Sequence, residues 1–330
     1  MGSPEIPIID IGGLVRKASA KGVGAVARQI RDACLNTGFF YISNHGVSER
    51  LIAETIAANR TFHARPIEEK LRLKLNRWHR GFEPFAASKL VSSKRFEPAK
   101  QANQLESYVV RQEVRADDPG YGTKELMGPN QWPDDPAFKD VVERYDAALR
   151  DLGLKLLPAF SVAVGENPNF FTDLMVPPAT AMRMIHYSPS PKPRPSDLYG
   201  IQPHTDYGFI TMLAQDEIGG LEVRRVDGSW IDARPIRGTF IVNIGDTLAR
   251  WTNNVFNSTP HRVINRSDLH SRYSMAMFFD PHVDTIVRCL EGFKDDAAPE
   301  KYDPIRYGDY LLGRLNTNHP IGVQADAVVG

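Results

Sequence analysis

A short segment in the second half of the chain places an imidazole and a carboxylate at a spacing suited to a metal ion. In QPHTDYG, His204 and Asp206 lie two residues apart, so on a strand both side chains project from one face. A second imidazole is offered by His261 in STPHRV, at the start of a predicted strand. Two histidines and one carboxylate on one face of an octahedral ion are the ligands of non-haem iron(II) sites, and they leave positions free for other ligands. We call these three residues the triad.

The triad also has an ordinary structural interpretation. His204 and Asp206 can form a hydrogen-bonded pair at the surface, and His261 can be a core histidine whose ring binds nothing. An HxD pair is common, so the triad alone does not establish a metal site. The residues that follow His261 therefore matter for the choice between the two interpretations.

A second group of residues suggests an anion site. Arg272 and Ser274 lie two apart in SRYSMAMFF, a predicted strand whose other positions are apolar. A buried arginine needs an anionic partner, and this strand has no acidic residue before Asp280. A small anion held by the guanidinium and the serine hydroxyl, with help from Tyr187 on an earlier strand, would satisfy it. The alternative is that Arg272 pairs with a distant internal carboxylate.

The elements that must position these residues are mostly short strands. From about residue 179, β-rich runs recur at regular spacing between turn residues, and Asp227-Gly228 is a strong hairpin signal. Many short antiparallel strands without intervening helices indicate a sandwich or a jelly roll. The chain is therefore predicted to be mainly β, with helices flanking a C-terminal β core.

The first half of the chain is predicted to supply the helices. Apolar residues at helical spacing indicate helices over about 23–36, 48–62 and 136–164. Pro158 is expected to kink or break the last of these. The stretch 76–133 is rich in turn formers and is predicted to be irregular.

Composition excludes several classes of protein. Lys plus Arg number 40 and so do Asp plus Glu, which argues against nucleic acid as the main partner. No window approaches the roughly 20 apolar residues of a membrane helix, and the start of the chain does not resemble a signal peptide. Two cysteines, Cys34 and Cys289, lie too far apart to form a motif. We expect two reduced thiols in a cytoplasmic protein.

The order of the motifs resembles one family over nearly the whole chain. HTD, then HRV, then RxS is similar to the isopenicillin N synthase-like family of iron(II)/2-oxoglutarate-dependent oxygenases. IPIIDI and GFFYISNHGV resemble the N-terminal segment of that family, and FIVNIGDTLARWTNN resembles the region between its ligands. Each piece alone is unspecific, whereas the combination is specific.

The resemblance implies a double-stranded β-helix, or jelly roll, wrapped by α-helices. It implies one oxygenase unit over residues 1–330. Within it we expect an N-terminal helical and mixed region (1–178), a jelly-roll core holding the iron and 2-oxoglutarate site (179–290), and a C-terminal helix and tail (291–330).

The resemblance also assigns roles to residues. It makes the triad the iron ligands, and it places Arg272 and Ser274 on the distal carboxylate of 2-oxoglutarate, with Tyr187 assisting. Plant members of the family often carry an asparagine two positions before that tyrosine. Here the position is Ile185, so one polar contact is expected to be absent or replaced. His186 should point to the opposite face of the sheet and is expected to be structural.

The implied function is oxidation of a small molecule. Iron(II), 2-oxoglutarate and dioxygen would hydroxylate, desaturate or cyclise the substrate, with release of succinate and carbon dioxide. One alternative is a 2-oxoglutarate-independent iron oxidase of the isopenicillin N synthase type, in which Gln324 is an extra ligand. A second alternative is a non-catalytic module that binds a metal or a small molecule.

Substrate contacts should come from loops around the mouth of the jelly roll. The C-terminal segment 306–319 is expected to cover the opening, and a monomer is favoured. For every candidate side chain, simple packing is the alternative interpretation. The candidates are Arg80, Phe82, Phe85, Tyr108, Phe209 and Phe279.

Overall fold

The computed structural model describes residues 6–16, 19–87, 101–118, 120–122 and 126–318. The helices within these residues are α1 (Gly12–Arg16), α2 (Ala20–Asn36), α3 (Glu49–His63), α4 (Ile67–Leu71), α5 (Pro136–Ala163), α6 (Phe170–Met175), α7 (Asp246–Trp251) and α8 (Tyr307–Asn318). The strands are β1 (Ile8–Asp10), β2 (Phe39–Ser43), β3 (Gly81–Glu83), β4 (Leu105–Arg111), β5 (Ala179–Tyr187), β6 (Ile201–His204), β7 (Ile210–Gln215), β8 (Leu221–Arg224), β9 (Trp230–Asp232), β10 (Thr239–Ile244), β11 (His261–Val263), β12 (Arg272–Asp280), β13 (Ile286–Val287) and β14 (Ile305–Arg306).

Two sheets form the predicted jelly roll. The larger has the strand order β1-β2-β10-β7-β12-β5-β4-β3, and the smaller has the order β6-β11-β8-β9. All pairings in them are antiparallel except that of β1 with β2. The strands β13 and β14 form a separate pair. The N-terminal strands thus extend the same large sheet that the C-terminal half builds.

The large sheet is buried on both faces, and this separates the core into two layers. On one face, β12 packs Met275, Met277 and Phe279 against the helices, in an apolar cluster to which α2, α3 and α5 contribute. On the other face, residues such as Ile185 and Tyr187 pack against the small sheet. Because successive strand residues point to opposite faces, one strand supplies both layers.

The predicted helices are present at close to their predicted bounds. Helix α2 begins after Ser19, whose hydroxyl accepts the Gly22 N–H at 3.2 Å, and α5 begins after Asp135, whose carboxylate accepts the Phe138 N–H at 3.0 Å. The expected break at Pro158 does not occur, since α5 continues to Ala163. The residues after Pro158 are largely buried against the core, which offsets the lost hydrogen bond. Within the described residues, no helix is long and apolar enough to cross a bilayer.

The stretch 76–133 is more regular than predicted, because it contains β3 and β4 at one edge of the large sheet. Strand β4 has the sequence LESYVVR, in which polar residues are buried. Glu106 pairs with Lys70, and Ser107 accepts a hydrogen bond from Arg183. The sequence LESYVVR shows no regular alternation of polar and apolar residues that could reveal a strand. The partners that allow its polar residues to be buried lie far away in the sequence.

Candidate functional site

The triad converges at one end of the small sheet. Strand β6 ends at His204, and β11 starts at His261, which lies directly opposite His204 in the antiparallel register. Asp206 was expected on the strand with His204, but the strand ends first and Asp206 lies in the following loop. The Nε2 atoms of both histidines are 3.7 Å from Oδ1 of Asp206, and the three candidate ligand atoms lie within 4.8 Å of one another.

Main-chain carbonyls orient both imidazoles. Nδ1 of His204 is 2.7 Å from the carbonyl oxygen of Gln202, and Nδ1 of His261 is 3.2 Å from that of Thr259. A carbonyl oxygen only accepts, so each Nδ1 carries the proton and each Nε2 keeps its lone pair. Both lone pairs are therefore available to an ion beside Asp206.

Two polar side chains orient the carboxylate. Oδ2 of Asp206 accepts hydrogen bonds from the Asn243 amide at 2.7 Å and from the Thr211 hydroxyl. Oδ1 is left to face the histidines. Asn243 on β10 and Thr211 on β7 lie opposite each other in the large sheet, and neither was predicted from the sequence. Their local signal was a polar residue among apolar neighbours, in ITML for Thr211 and in IVNI for Asn243.

The protonation states suit a divalent cation. Burial and, to a smaller extent, the neighbouring His261 lower the pKa of His204 to about 3. Burial alone would raise the pKa of Asp206, but the two histidines and the hydrogen bonds from Asn243 and Thr211 outweigh it and lower that pKa. A neutral imidazole and an ionised carboxylate are the forms that bind metal.

The loop that carries Asp206 is fixed by main-chain contacts. The Asp246 N–H donates to the carbonyl of Asp206 at 2.8 Å, and the Thr247 N–H donates to the carbonyl of Gly208 at 3.1 Å. A Cβ at Gly245 would lie 2.2 Å from the carbonyl oxygen of Gly208, so only glycine permits this approach. The loop and the start of α7 therefore pack backbone against backbone.

Arg272 is buried between the two sheets, and its guanidinium donates hydrogen bonds to neutral groups of the described residues. Nη1 donates to the Ser274 hydroxyl at 3.2 Å, Nη2 donates to Oε1 of Gln215 at 3.0 Å, and Nε donates to the carbonyl of Gly219 at 2.5 Å. The guanidinium carbon lies 4.6 Å from the ring centre of Tyr187. Ser274 and Tyr187 were predicted from the sequence, whereas Gln215 and Gly219 were not.

The guanidinium of Arg272 has no close carboxylate in the described part of the chain. None lies within 4.0 Å, so Arg272 does not form the internal ion pair that was the alternative interpretation. Asp216 attracts the guanidinium only from a longer distance, and its carboxylate accepts the Tyr273 N–H at 2.7 Å. A buried guanidinium without a close carboxylate is suited to an anionic ligand such as a carboxylate.

A second cluster of possible metal ligands lies on the helix-facing side of the large sheet. It contains His63, Glu106 and His186, whose ligand atoms lie within 4.8 Å of one another. However, the Lys70 ammonium already donates to both oxygens of Glu106, at 2.8 and 3.0 Å. Nε2 of His186 is 2.9 Å from the Ser271 hydroxyl. We interpret this cluster as a structural network, as expected for His186.

A cavity of about 120 Å³ adjoins the triad. Besides Asp206, its charged lining residues are Glu83, Arg111, Arg183 and Asp280. Its apolar lining includes residues of the large sheet such as Val109, Ala181 and Phe278, and Leu311 and Leu315 of α8 contribute to it. Helix α8 thus borders the cavity, in agreement with the expectation for the segment 306–319, of which residue 319 lies outside the described residues.

None of the six candidate substrate residues lines this cavity. Phe82 and Tyr108 belong to an aromatic cluster around Phe62 on the helix side. Phe209 packs against the aromatic rings of the helices, and Phe279 packs against α5. Their sequence neighbours line the cavity instead: Glu83, Val109, Gly208 and Phe278. A one-residue error along a strand exchanges the two faces of the sheet.

The remaining two candidates have other surroundings. The Arg80 guanidinium donates to the carbonyls of Trp78, Gln112 and Leu126 and to the side chain of Asn130, so its role is structural. Phe85 is 44% exposed and lies away from the cavity lining.

Asp280 is a buried carboxyl group in the lining of the cavity. Its Oδ1 accepts the Phe209 N–H at 2.9 Å, and a Cβ at Gly208 would lie 1.7 Å from that oxygen. Burial raises the pKa of Asp280 to about 6. Folding therefore favours the protonated form of this group.

We predict that Asp280→Asn changes the pH dependence of stability in iron-free protein. The pKa of Asp280 is about 3.9 in the unfolded chain and about 6 in the folded protein. The free energy of unfolding of the wild type should therefore fall as pH rises between these values, by about 3 kcal/mol in total. The variant lacks this loss. Its free energy of unfolding should therefore rise relative to wild type by about 2 kcal/mol between pH 4 and pH 7, because part of the loss falls below pH 4. Urea unfolding at both pH values measures it, with the exposed Asp117→Asn as control, and parallel curves would contradict the assignment.

Known proteins resemble the chain in sequence over most of its length. The profile of the 2OG-Fe(II) oxygenase superfamily matches residues 178–281, and the profile described as non-haem dioxygenase in morphine synthesis N-terminal matches residues 6–135. Homoarginine-6-hydroxylase 2-ODD-C23 from Glycine max is 35% identical over 327 residues, which cover 95% of this chain and 97% of that protein. The 2-oxoglutarate-Fe(II) type oxidoreductase hxnY from Emericella nidulans is 34% identical over 303 residues, covering 89% and 85%.

Solved structures share the fold over nearly their full length. A full-length Neurospora crassa protein, crystallised in complex with alpha-KG and thymine, superposes with a TM-score of 0.81 and 28% sequence identity. The match covers 94% of this chain and 96% of that one. A putative 2OG-Fe(II) oxygenase family protein from Caulobacter crescentus superposes with a TM-score of 0.80 and 27% identity, covering 96% and 99%.

Proposed function

The chain belongs to the 2OG-Fe(II) oxygenase superfamily, and from that premise we propose which of its residues perform the reaction. The protein is an iron(II)-dependent oxygenase that uses 2-oxoglutarate and dioxygen. We propose that the triad holds the iron. We further propose that Arg272, Ser274 and Tyr187 hold the distal carboxylate of 2-oxoglutarate.

The observation that carries the iron site is the convergence of three free donor atoms. Two Nε2 atoms lie 3.7 Å from one carboxylate oxygen, and hydrogen bonds on the far side of each ring and of the carboxylate fix them there. Imidazole and carboxylate are the ligand types that iron(II) takes in such sites, so the residues fit the ion. Iron bound there supplies the oxidising chemistry that couples conversion of 2-oxoglutarate to succinate and carbon dioxide with oxidation of the substrate.

The chain itself would bind and orient the cosubstrate. The Arg272 guanidinium is held by Gln215 and Gly219 before any ligand arrives, which lowers the entropy lost on binding. The ring of Tyr187 lies against the guanidinium, so its contribution in this structure is a cation–π contact. Ile185, opposite Ser274 in the register, offers no side-chain hydrogen bond.

Further features of the function remain proposals. The default reaction is hydroxylation of a small molecule, with desaturation or cyclisation as variants. One cooperative unit over 1–330, with the regions 1–178, 179–290 and 291–330, is supported by the pairing of β2 with β10. Two free cysteines are compatible with a reducing cytoplasmic setting, and a monomer is the favoured state.

The alternative without 2-oxoglutarate is not favoured. The similar Neurospora crassa structure contains alpha-KG, and the relatives of this chain include a protein named as a 2-oxoglutarate-Fe(II) type oxidoreductase. Gln324, the extra ligand considered for such an oxidase, lies outside the described residues.

We predict that succinate formation requires both iron(II) and 2-oxoglutarate. Some succinate should form even without the substrate, because the triad and Arg272 can hold iron and the keto acid independently of it. The assay measures succinate and oxygen together, with and without a chelator. Oxygen consumption that is iron-dependent but yields no succinate would instead favour the oxidase.

A further inference from the structure

Two arginines line the cavity, and only one of them has a carboxylate partner among the described residues. This contrast indicates a class of substrate, an inference that rests on the proposed function. Arg183 on β5 is neutralised, because its guanidinium forms an ion pair with Glu83 and its Nε donates to the Ser107 hydroxyl at 2.9 Å. This pair therefore presents little net charge to a ligand.

Arg111 differs from Arg183. It lies opposite Ala181 in the register of β4 with β5 and on the same face as Val109, so its side chain projects into the cavity. Nε donates to the carbonyl of His79 at 3.2 Å. In the described ranges, no carboxylate lies within 4.0 Å of its guanidinium. A partly buried guanidinium without a close counter-ion favours an anionic ligand.

The acidic group whose charge acts on Arg111 does not neutralise it. Asp280 attracts it from beyond ion-pair distance, and one oxygen of that carboxyl already accepts the Phe209 N–H. By contrast, the Arg80 guanidinium, which is also buried, uses its N–H groups on four protein acceptors. Arg111 thus retains donors that can reach a ligand in the cavity.

The rest of the cavity favours an apolar body. Val109, Ala181 and Phe278 form one wall across three adjacent strands, and Leu311 and Leu315 border it from α8. We propose that the substrate is a small carboxylate with an apolar body, and that Arg111 binds its carboxylate group.

A carboxylate fits better than a phosphate for two reasons. The cavity has a volume of about 120 Å³, so the smaller carboxylate group leaves more room for the apolar body. A phosphate group would also place about two negative charges near Asp280, whereas a carboxylate places one. Arg111 can meet a carboxylate with two parallel N–H groups.

The test uses matched pairs of probes that differ only in charge. They are hexanoate and hexanamide, phenylacetate and phenylacetamide, and L-leucine and L-leucinamide. Binding to anaerobic protein loaded with iron(II) and 2-oxoglutarate is measured by calorimetry, and stimulation of succinate formation is measured in air. We expect the carboxylate of at least one pair to bind about tenfold to a hundredfold more tightly than its amide.

Variants of Arg111 assign that preference to one side chain. Arg111→Met should bind both members of the pair equally, and Arg111→Lys should keep part of the preference, since a point charge remains without the fork. Arg234→Met, at a position whose side chain is 83% exposed, is the matched control and should behave as wild type. All variants should bind 2-oxoglutarate as wild type, which also shows that they are folded.

Each other outcome overturns the proposal. No carboxylate preference in any pair would exclude the substrate class, and an undiminished preference in Arg111→Met would exclude Arg111. Weaker 2-oxoglutarate binding by a folded Arg111→Met would assign the residue to the cosubstrate instead. Failure of the proposed function is a separate result, namely a wild-type protein that forms no succinate.

Discussion

His204→Ala and His261→Ala should each abolish iron-dependent succinate formation and leave a folded protein. Each substitution removes one of the two imidazole donors that converge on Asp206. The fold should survive, because its stability comes from the two buried apolar layers rather than from the metal. Succinate formation and bound iron are measured on the same samples, and circular dichroism reports the fold.

The controls for this prediction test the role of each ligand. His270→Ala changes an exposed histidine and should keep full activity. Asp206→Ala removes the one carboxylate of the triad and should lose most of the activity. Asp206→Glu keeps the charge but moves it by about one methylene, so an intermediate loss is expected. Full activity in iron-free His204→Ala, or wild-type turnover in both Asp206→Ala and Asp206→Asn, would refute the site.

Arg272→Met should weaken 2-oxoglutarate binding by roughly two to three-and-a-half orders of magnitude. The substitution leaves a carboxylate buried without its counter-ion, a loss of roughly 3–5 kcal/mol, and about 1.4 kcal/mol corresponds to a tenfold change. Iron affinity should change little, because Arg272 is not a ligand. The measurement is a titration of 2-oxoglutarate into anaerobic iron-loaded protein, followed by the visible metal-to-ligand charge-transfer band.

Two comparisons make this measurement decisive. Arg272→Lys should lie between wild type and Arg272→Met, because a point charge cannot reproduce the bidentate geometry. Arg234→Met is again the surface control. Unchanged 2-oxoglutarate affinity in Arg272→Met would remove Arg272 from the cosubstrate site. A wild type without any band, but with oxygen-dependent turnover, would favour the oxidase.

The sequence revealed the residues whose chemistry is unusual for their position. A carboxylate two residues after His204, and an arginine inside an apolar strand, stand out because such groups are costly to bury without a purpose. The jelly roll could also be predicted, since regularly spaced short strands with turn signals have few other solutions.

The residues that were missed depend on contacts over long distances in the chain. Asn243 meets Asp206 across 37 positions, and Gln215 meets Arg272 across 57. Nothing in the local sequence of either residue identifies its partner. The prediction of aromatic substrate contacts was wrong for a different reason. Both faces of these strands are buried, so hydrophobicity alone does not show which side chains line the cavity. Phe278 and Phe279 look alike in sequence, and only the register separates them.

The backbone packing between Gly208 and Gly245 has a consequence for how this enzyme can change. The loop that carries Asp206 is anchored by main-chain bonds to α7, whereas the side chains of Val109, Arg111 and Phe278 come from the opposite sheet. Exchanging those side chains leaves the anchoring bonds intact. New substrates can therefore be acquired by mutation of one wall while the oxidising centre keeps its position, which makes that wall the place to direct libraries for altered selectivity.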